Sequence, residues 1–169
     1  MDNTLDIARG LPEEALKEFA RIIVAWSAVE AVFDMVYFAE IIPPEVCAAG
    51  PSGELAKRMS LRFGDRCKIL KAHWNEAAVS DELKADWERA LNSATSLARW
   101  RNLVAHARIS PAAGPGAPAD AVHVCFLGWG CLKPKHWGYI TTETFKKHRV
   151  KINELWHDLI RLQTSSPEV

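Results

Sequence analysis

The first forty residues carry the clearest alternation of apolar and polar positions in the chain. Large apolar side chains recur there at steps of three and four, as on an amphipathic helix. They are Leu16, Phe19, Ile23, Trp26, Phe33 and Tyr37. Pro12 suits the first turn of this helix, and Pro43 and Pro44 must end it because proline cannot continue the hydrogen-bond ladder. The prediction is one helix of about 30 residues, roughly 45 Å long, with Glu30 on its otherwise apolar face.

A second helix is predicted from Glu54 to Trp74, after a loop from Glu45 to Gly53. Its apolar positions at helical spacing are Leu55, Met59, Phe63, Cys67, Leu70 and Trp74. Arg58, Arg62 and Arg66 repeat every four residues and would share one face of a continuous helix. We interpret this face as solvated, and the alternative is a ridge that binds RNA.

Ser80 is a suitable N-cap for a third helix, and two acidic residues follow where the helix dipole favours negative charge. The apolar positions of this helix are Leu83, Trp87, Ala90, Ala94 and Leu97. The next position on the same stripe is Arg101, followed by Val104. Charges of opposite sign therefore occupy inward positions on the first and third helices. This coincidence predicts that Glu30 and Arg101 pair in the interior.

In the last third of the chain, the sequence pattern changes from a loop composition to strand-like alternation and then back to helical spacing. Residues 109–120 are rich in proline, glycine and alanine, which predicts a loop. Alternation from Val122 and a second short segment at Trp137 to Ile140 predict a β-hairpin over about residues 121–140. Thr141 or Thr142 then caps a final helix. Its inner face is predicted to carry Phe145, Ile152, Leu155, Leu159 and Leu162.

These elements together predict a mainly all-α fold. Short connections between long helices favour an antiparallel four-helix bundle, with the short β-hairpin inserted before the last helix. At 169 residues, one domain over residues 1–169 is expected, since this length suffices for a single sizeable core.

Amino-acid composition and net charge limit the classes of function that the chain can have. Hydrophobic residues make up 49% and charged residues 25% of the chain, which is typical of a soluble globular protein. Twenty-one basic residues balance 21 acidic ones. Broad charge-driven binding to nucleic acid is therefore disfavoured, whereas a local basic cleft for RNA stays compatible with the sequence.

The most apolar window, Phe19 to Ile42, contains four charged residues, which a membrane span tolerates badly. No apolar signal segment precedes it. We therefore expect a cytoplasmic protein with no membrane partner.

The potential metal ligands follow no recognised spacing. The cysteines are Cys47, Cys67, Cys125 and Cys131, and the histidines considered are His123, His136, His148 and His157. No C-x2-C pair occurs among them. We expect reduced, mostly buried cysteines, surface histidines, and no metal or other cofactor.

The third helix closes on a polar segment, Trp100-Arg101-Asn102-Leu103-Val104-Ala105-His106. An arginine followed by an amide and, five positions on, by a histidine resembles the R-x4-6-H motif of the HEPN family. Members of that family are helical bundles, and many are metal-independent ribonucleases. The resemblance implies that Arg101 binds the scissile phosphate and His106 transfers protons. Asn102 would orient His106, and Glu30 would support the site from the first helix.

The resemblance also implies a symmetric homodimer. In the family, the motif helices of two protomers commonly face each other and form one cleft. A two-fold axis would bring both motifs together around the RNA.

Two other interpretations remain open. In the first, the chain is a non-catalytic interaction module of a defence or toxin–antitoxin pair. The polar motif then only pairs with Glu30 and caps its helix, and exposed Trp129 and Trp137 dock a protein partner. In the second, a helical bundle binds a small molecule in a closed apolar cavity.

Overall fold

The computed structural model describes residues 11–48, 53–59, 61–113, 115–127 and 134–165. The helices in this part of the chain are α1 (Glu13–Ile41), α2 (Pro44–Ala48), α3 (Glu54–Met59), α4 (Phe63–Glu76), α5 (Asp81–Ala105) and α6 (Thr142–Ser165). The strands are β1 (Arg108–Pro111), β2 (Ala121–Leu127) and β3 (Pro134–Thr141), in an antiparallel sheet of order β1-β2-β3. The predicted mainly helical fold class is confirmed.

The chain divides into two compact units, and the divisions fall within α1, α5 and α6. The first unit comprises Met1–Ala25 and Arg101–Lys151, and the second comprises Trp26–Trp100 and Ile152–Val169. The sheet lies in the first unit, and α2, α3 and α4 lie in the second. The expectation of one domain over the whole chain stays a prediction.

In the first unit, a buried ion pair joins α1 to α6. The Glu18 residue is 1% exposed, and Arg149 Nε donates a hydrogen bond of 2.8 Å to its Oε2 atom. Arg21, one turn along α1, donates from Nη1 to the Oε1 atom. A carboxylate can stay charged in the interior when charge-assisted bonds replace its water. Both oxygens of Glu18 have such a bond.

The buried face in the first half of α1 lies one position away from the predicted stripe. The buried residues there are Ala15, Glu18 and Ile22, while Leu16, Phe19 and Ile23 are only partly buried. A shift of one position rotates the buried face by about 100°. Farther along, the predicted Trp26, Phe33 and Tyr37 are buried. Val29 takes the inward position between them, and Glu30 beside it is partly buried.

The sheet contains one strand more than the predicted hairpin. β1 overlaps residues 109–120, for which only a loop was predicted, and pairs Ile109 with Val124 and Pro111 with Val122 of β2. Proline is tolerated here because β1 is an edge strand, where an amide hydrogen can be missing. Val122 and Val124 on one face of β2 are buried, and so are Ala121 and Cys125 on the other face.

Two threonines begin α6, as predicted. Thr141 Oγ1 accepts a hydrogen bond of 3.2 Å from the Thr144 amide, which caps the helix. Thr142 Oγ1 donates to the Asp120 carbonyl at 2.9 Å and so ties the helix start to the residue before β2. The predicted inner-face residues Phe145, Ile152, Leu155, Leu159 and Leu162 are all buried.

Aromatic contacts hold the helices of the second unit together. The ring centroid of Phe63 on α4 lies 5.3 Å from that of Trp26 and 4.6 Å from that of Phe33, both on α1. Trp74 of α4 and Trp87 of α5 stack with centroids 4.8 Å apart. Phe63 is partly buried, and the other four aromatic residues are buried. The predicted packing role of Trp26 and Trp87 is confirmed.

The predicted second helix is in fact two helices. α3 ends at Met59 and α4 begins at Phe63, because the backbone of Arg62 is extended, with φ −62° and ψ 146°. The predicted loop from Glu45 to Gly53 also contains most of α2. That helix starts at Pro44, where the missing amide hydrogen removes no helical bond.

The break at Arg62 separates the three arginines that were predicted to share a helix face. Arg66 forms an ion pair with Asp34 of α1, and its side chain is only 14% exposed. Arg58 donates to the Ile41 carbonyl at 3.3 Å. Arg62 is exposed. The interpretation as a solvated face is therefore wrong for Arg66.

By length and composition alone, α1 could cross a membrane, since its most apolar window has a mean hydropathy of 1.7. The core helix of a soluble protein and a signal sequence pass the same test. One such helix is weak support for a span, and the expected cytoplasmic location stays a prediction.

Replacing Glu18 by glutamine should destabilise the protein, because Arg149 and Arg21 lose their carboxylate. Breaking a buried ion pair costs about 3–5 kcal/mol. The arginine side chains here are 31% and 55% exposed, so we expect a loss of about 2 kcal/mol in unfolding free energy. Urea unfolding measures this loss. The exposed Glu154→Gln on α6 is the control, expected within about 0.5 kcal/mol of the wild type. Equal stability of both variants would contradict the role of Glu18.

The contribution of Glu18 should also depend on pH. Burial raises the pKa of Glu18, but hydrogen bonds and charges from Arg149 and Arg21 outweigh burial and hold the pKa below its usual 4.5. Such a group stabilises the fold above its unfolded pKa, and this stabilisation disappears as the pH falls through the folded pKa. The difference in unfolding free energy between wild type and Glu18→Gln should therefore be constant above about pH 5.5 and shrink on further acidification. A difference that grows in acid would refute this assignment.

Candidate functional site

α5 ends in a tightened turn that leads directly into the sheet. The His106 amide donates to the Asn102 carbonyl at 3.1 Å, and the Ala107 amide donates to the Val104 carbonyl at 3.3 Å. The second bond spans three residues instead of four, which tightens the end of the helix. Val104 is 1% exposed and anchors the inner side of this end. β1 begins at Arg108, so His106 and Ala107 form the whole connection.

The polar residues of this segment differ in exposure. Arg101 is partly buried, whereas Asn102 and His106 are exposed. Arg101 Nη1 donates a hydrogen bond of 2.9 Å to Asn102 Oδ1. In the structure, the Asn102 amide therefore helps to orient the Arg101 guanidinium. The resemblance had implied that Asn102 orients His106 instead. The structure brings Arg101 and Asn102 together and places the imidazole on the following turn, open to solvent.

Glu30 was predicted to support Arg101 from the first helix. It is partly buried on α1 and belongs to the second unit, whereas Arg101 belongs to the first. The pairing of these two side chains stays a prediction.

Sequence reasoning missed Glu18, the buried carboxylate in the unit that contains Arg101. The signal was present in the sequence. Glu18 follows Ala15 by three positions and precedes Ile22 by four, which places all three on one helix face. The prediction chose the neighbouring face because Leu16, Phe19 and Ile23, one position away, have larger apolar side chains.

Sequence reasoning also missed the local charge around the motif. Between Glu88 and Asp120 the sequence has four arginines and no acidic residue. Arg101 and His106 lie in this stretch, as does Arg108, which is exposed at the start of β1. The net charge of zero is a sum over the whole chain and does not reveal the positive charge of this segment. This stretch of the sequence is therefore basic in a protein that is neutral overall.

Two histidines of the first unit outside the motif, His123 and His148, have local contacts. His148 Nδ1 lies 2.9 Å from the Thr144 carbonyl oxygen. Burial lowers the pKa of His148 below its usual 6.5, against the opposing effect of this hydrogen bond. The rings of His123 and Tyr139 lie 5.7 Å apart. Within the described residues, no group of three His, Cys, Asp or Glu side chains is placed to hold a metal ion.

Outside the described residues lie Trp129, Cys131 and the side chains of Cys47, His136 and Trp137. The backbone of Trp137 pairs with Cys125 in the sheet. The tryptophan docking surface stays a prediction. Cys67 and Cys125 are free and buried, as expected.

Comparison of the chain with protein-family models, curated proteins and solved structures finds no match. The interpretation of the α5 end therefore depends on its own residues. Their arrangement offers a positioned guanidinium, an amide and an accessible imidazole on a basic segment. Such groups can bind a phosphate and exchange protons with a substrate.

Asn102→Ala should remove one hydrogen bond from the Arg101 guanidinium without weakening the fold, because that bond is exposed. We expect the unfolding free energy to change by less than about 0.5 kcal/mol. NMR relaxation of the Arg101 Nε–Hε group should show faster motion in the variant. The exposed Asn153→Ala is the matched control and should leave that motion unchanged. An unchanged Arg101 signal in Asn102→Ala would show that the amide does not orient the guanidinium.

Proposed function

We propose that the chain is a HEPN-like four-helix bundle that binds RNA at the end of α5 and cleaves it without a metal ion. One observation carries the proposal. At the end of this helix, Asn102 holds the Arg101 guanidinium at 2.9 Å, and the exposed His106 follows in the terminal turn. Metal-free cleavage of a phosphodiester requires a cation for the phosphate and an accessible proton-transfer group, and the end of α5 carries both.

In the proposed reaction, the ribose 2′-oxygen attacks the adjacent phosphorus atom. A bond forms between that oxygen and phosphorus while the bond from phosphorus to the 5′-oxygen of the next nucleotide breaks. The products are a 2′,3′-cyclic phosphate and a free 5′-hydroxyl. A neutral imidazole takes the 2′-hydroxyl proton, and a protonated imidazole donates one to the leaving oxygen. Arg101 stabilises the charge that builds on the phosphate.

This chemistry needs a proton acceptor and a proton donor, and each chain supplies one imidazole at this helix end. A symmetric homodimer that brings two α5 ends together supplies both. His106 of one protomer would then accept the first proton, and His106 of the partner subunit would donate the second.

Local charge supports RNA as the substrate. The stretch between Glu88 and Asp120, which contains the motif, has four arginines and no acidic residue. A basic segment attracts the phosphate backbone even when the whole protein is neutral. Arg108, two residues after His106, is exposed and would contact a neighbouring phosphate.

Incubation of the purified protein with single-stranded RNA in EDTA tests the proposal. The wild type should produce 2′,3′-cyclic phosphate ends, detected by mass spectrometry. His106→Ala should lower the rate by about 10²–10⁴-fold, the usual contribution of a proton-transfer group. The exposed His157→Ala on α6 is the matched control and should cleave like the wild type.

Equal cleavage by the wild type and His106→Ala, or no cleavage by either, would overturn the catalytic proposal. The alternative function, a non-catalytic interaction module of the same fold, would then be favoured. A mixture of active wild-type and His106→Ala chains also tests the dimer. If each cleft needs the imidazoles of both chains, only dimers of two wild-type chains are active. The activity should then fall more steeply than the fraction of wild-type chains in the mixture.

A further inference from the structure

A groove separate from the α5 end lies between α4 and α5, within the second unit. Its volume is about 350 Å³, and it is partly open to solvent. The third interpretation of the sequence expected a closed apolar cavity, whereas three cationic side chains line this groove: Lys68 and Lys71 from α4, and Arg99 from α5. The volume falls in the usual range for small-molecule sites.

The cations of the groove can be released for a ligand. Lys68 pairs with Asp65 at 3.0 Å and Lys71 pairs with Glu88 at 2.7 Å, and both pairs are partly or largely exposed. Exposed pairs of this kind contribute little free energy, so a doubly charged anion can compete for the lysines. Arg99 is exposed, and no carboxylate among the described residues pairs with it. The groove lining itself contains no acidic side chain within the described residues.

Neutral donors lie on the same wall as Arg99. Asn92 and Ser96 are exposed, line the groove and are one helical turn apart on α5, so they share a face. Thr95 donates its hydroxyl hydrogen to the Leu91 carbonyl at 2.9 Å and is not available as a donor. An amide, a hydroxyl and a guanidinium therefore offer hydrogen-bond donors to one ligand from a single helix.

The floor of the groove carries no negative charge. Leu91 and Cys67 are buried there. Burial raises the pKa of the Cys67 thiol to about 11, and a hydrogen bond with Thr95 only partly opposes this shift. The thiol is therefore neutral at physiological pH and does not repel an anion. Gly64 lines the α4 side and has open space where a side chain would begin.

We propose that the groove between α4 and α5 binds a small molecule through its phosphate group. Three cations and two neutral donors surround a space that fits a phosphate and a small organic moiety. Phosphate is the anion that arginine, lysine, amide and hydroxyl donors jointly suit. None of the groove residues belongs to the motif Arg101–His106, although Arg99 also lies in the basic stretch that contains the motif.

Isothermal titration calorimetry with ribose 5-phosphate, inorganic phosphate and uncharged ribose tests the proposal. Ribose 5-phosphate should bind and ribose should not. Arg99→Gln should weaken binding by about tenfold or more, since it removes a charge-assisted contact. The exposed Arg89→Gln, also on α5 but outside the groove, should bind like the wild type. Equal affinity for inorganic phosphate would identify the free anion as the ligand, and tighter binding of the sugar phosphate would identify the ester.

Two glycine variants test the location without changing any charge. Gly64→Ala adds a methyl group to open space and should retain binding, whereas Gly64→Leu should fill the groove and abolish it. His106→Ala should bind ribose 5-phosphate like the wild type, which separates this test from the RNA cleavage assay. Failure of both phosphate probes to bind, equal binding of ribose, or unchanged affinity in Arg99→Gln would overturn the proposal.

Discussion

The buried charge of Glu18 is the constraint on which the first unit depends. Its two oxygens accept hydrogen bonds from Arg149 on α6 and Arg21 on α1, and a carboxylate at this depth is tolerated only while these bonds exist. α6 in turn is tied through Thr142 to Asp120, the residue before β2. β2 pairs with β1, which follows the end of α5. A continuous series of bonds thus runs from the ion pair to the polar motif.

Local chemistry made most helix boundaries predictable. Pro43 follows the end of α1, the Ser80 hydroxyl accepts a hydrogen bond of 3.3 Å from the Leu83 amide at the start of α5, and Thr141 caps α6. Each signal lies within a few residues of the boundary that it determines. The apolar stripe of α6 was correct at every predicted position, because large apolar residues recur at helical spacing on one face.

The remaining features depend on contacts between residues far apart in the sequence. β1 exists because β2 offers it a pairing edge, and the composition of residues 109–120 gives no sign of that partner. The burial of Arg66 follows from Asp34 on another helix. Glu18 became the inward charge because Arg149, 131 positions away, compensates it. At the motif, the sequence identified the residue types but not that Asn102 would bind Arg101 in preference to His106.

The proposed function makes the end of α5 an RNA-contacting surface, and NMR chemical-shift mapping tests this most directly. Titration with a short, non-cleavable 2′-O-methyl RNA should shift the Asn102 side-chain amide, the Arg101 Nε–Hε group and the backbone amides from Arg101 to Arg108. The shifts should weaken as salt rises, because phosphate contacts release counterions. Shifts confined to other residues, or no shifts at the end of α5 at low salt, would contradict the account.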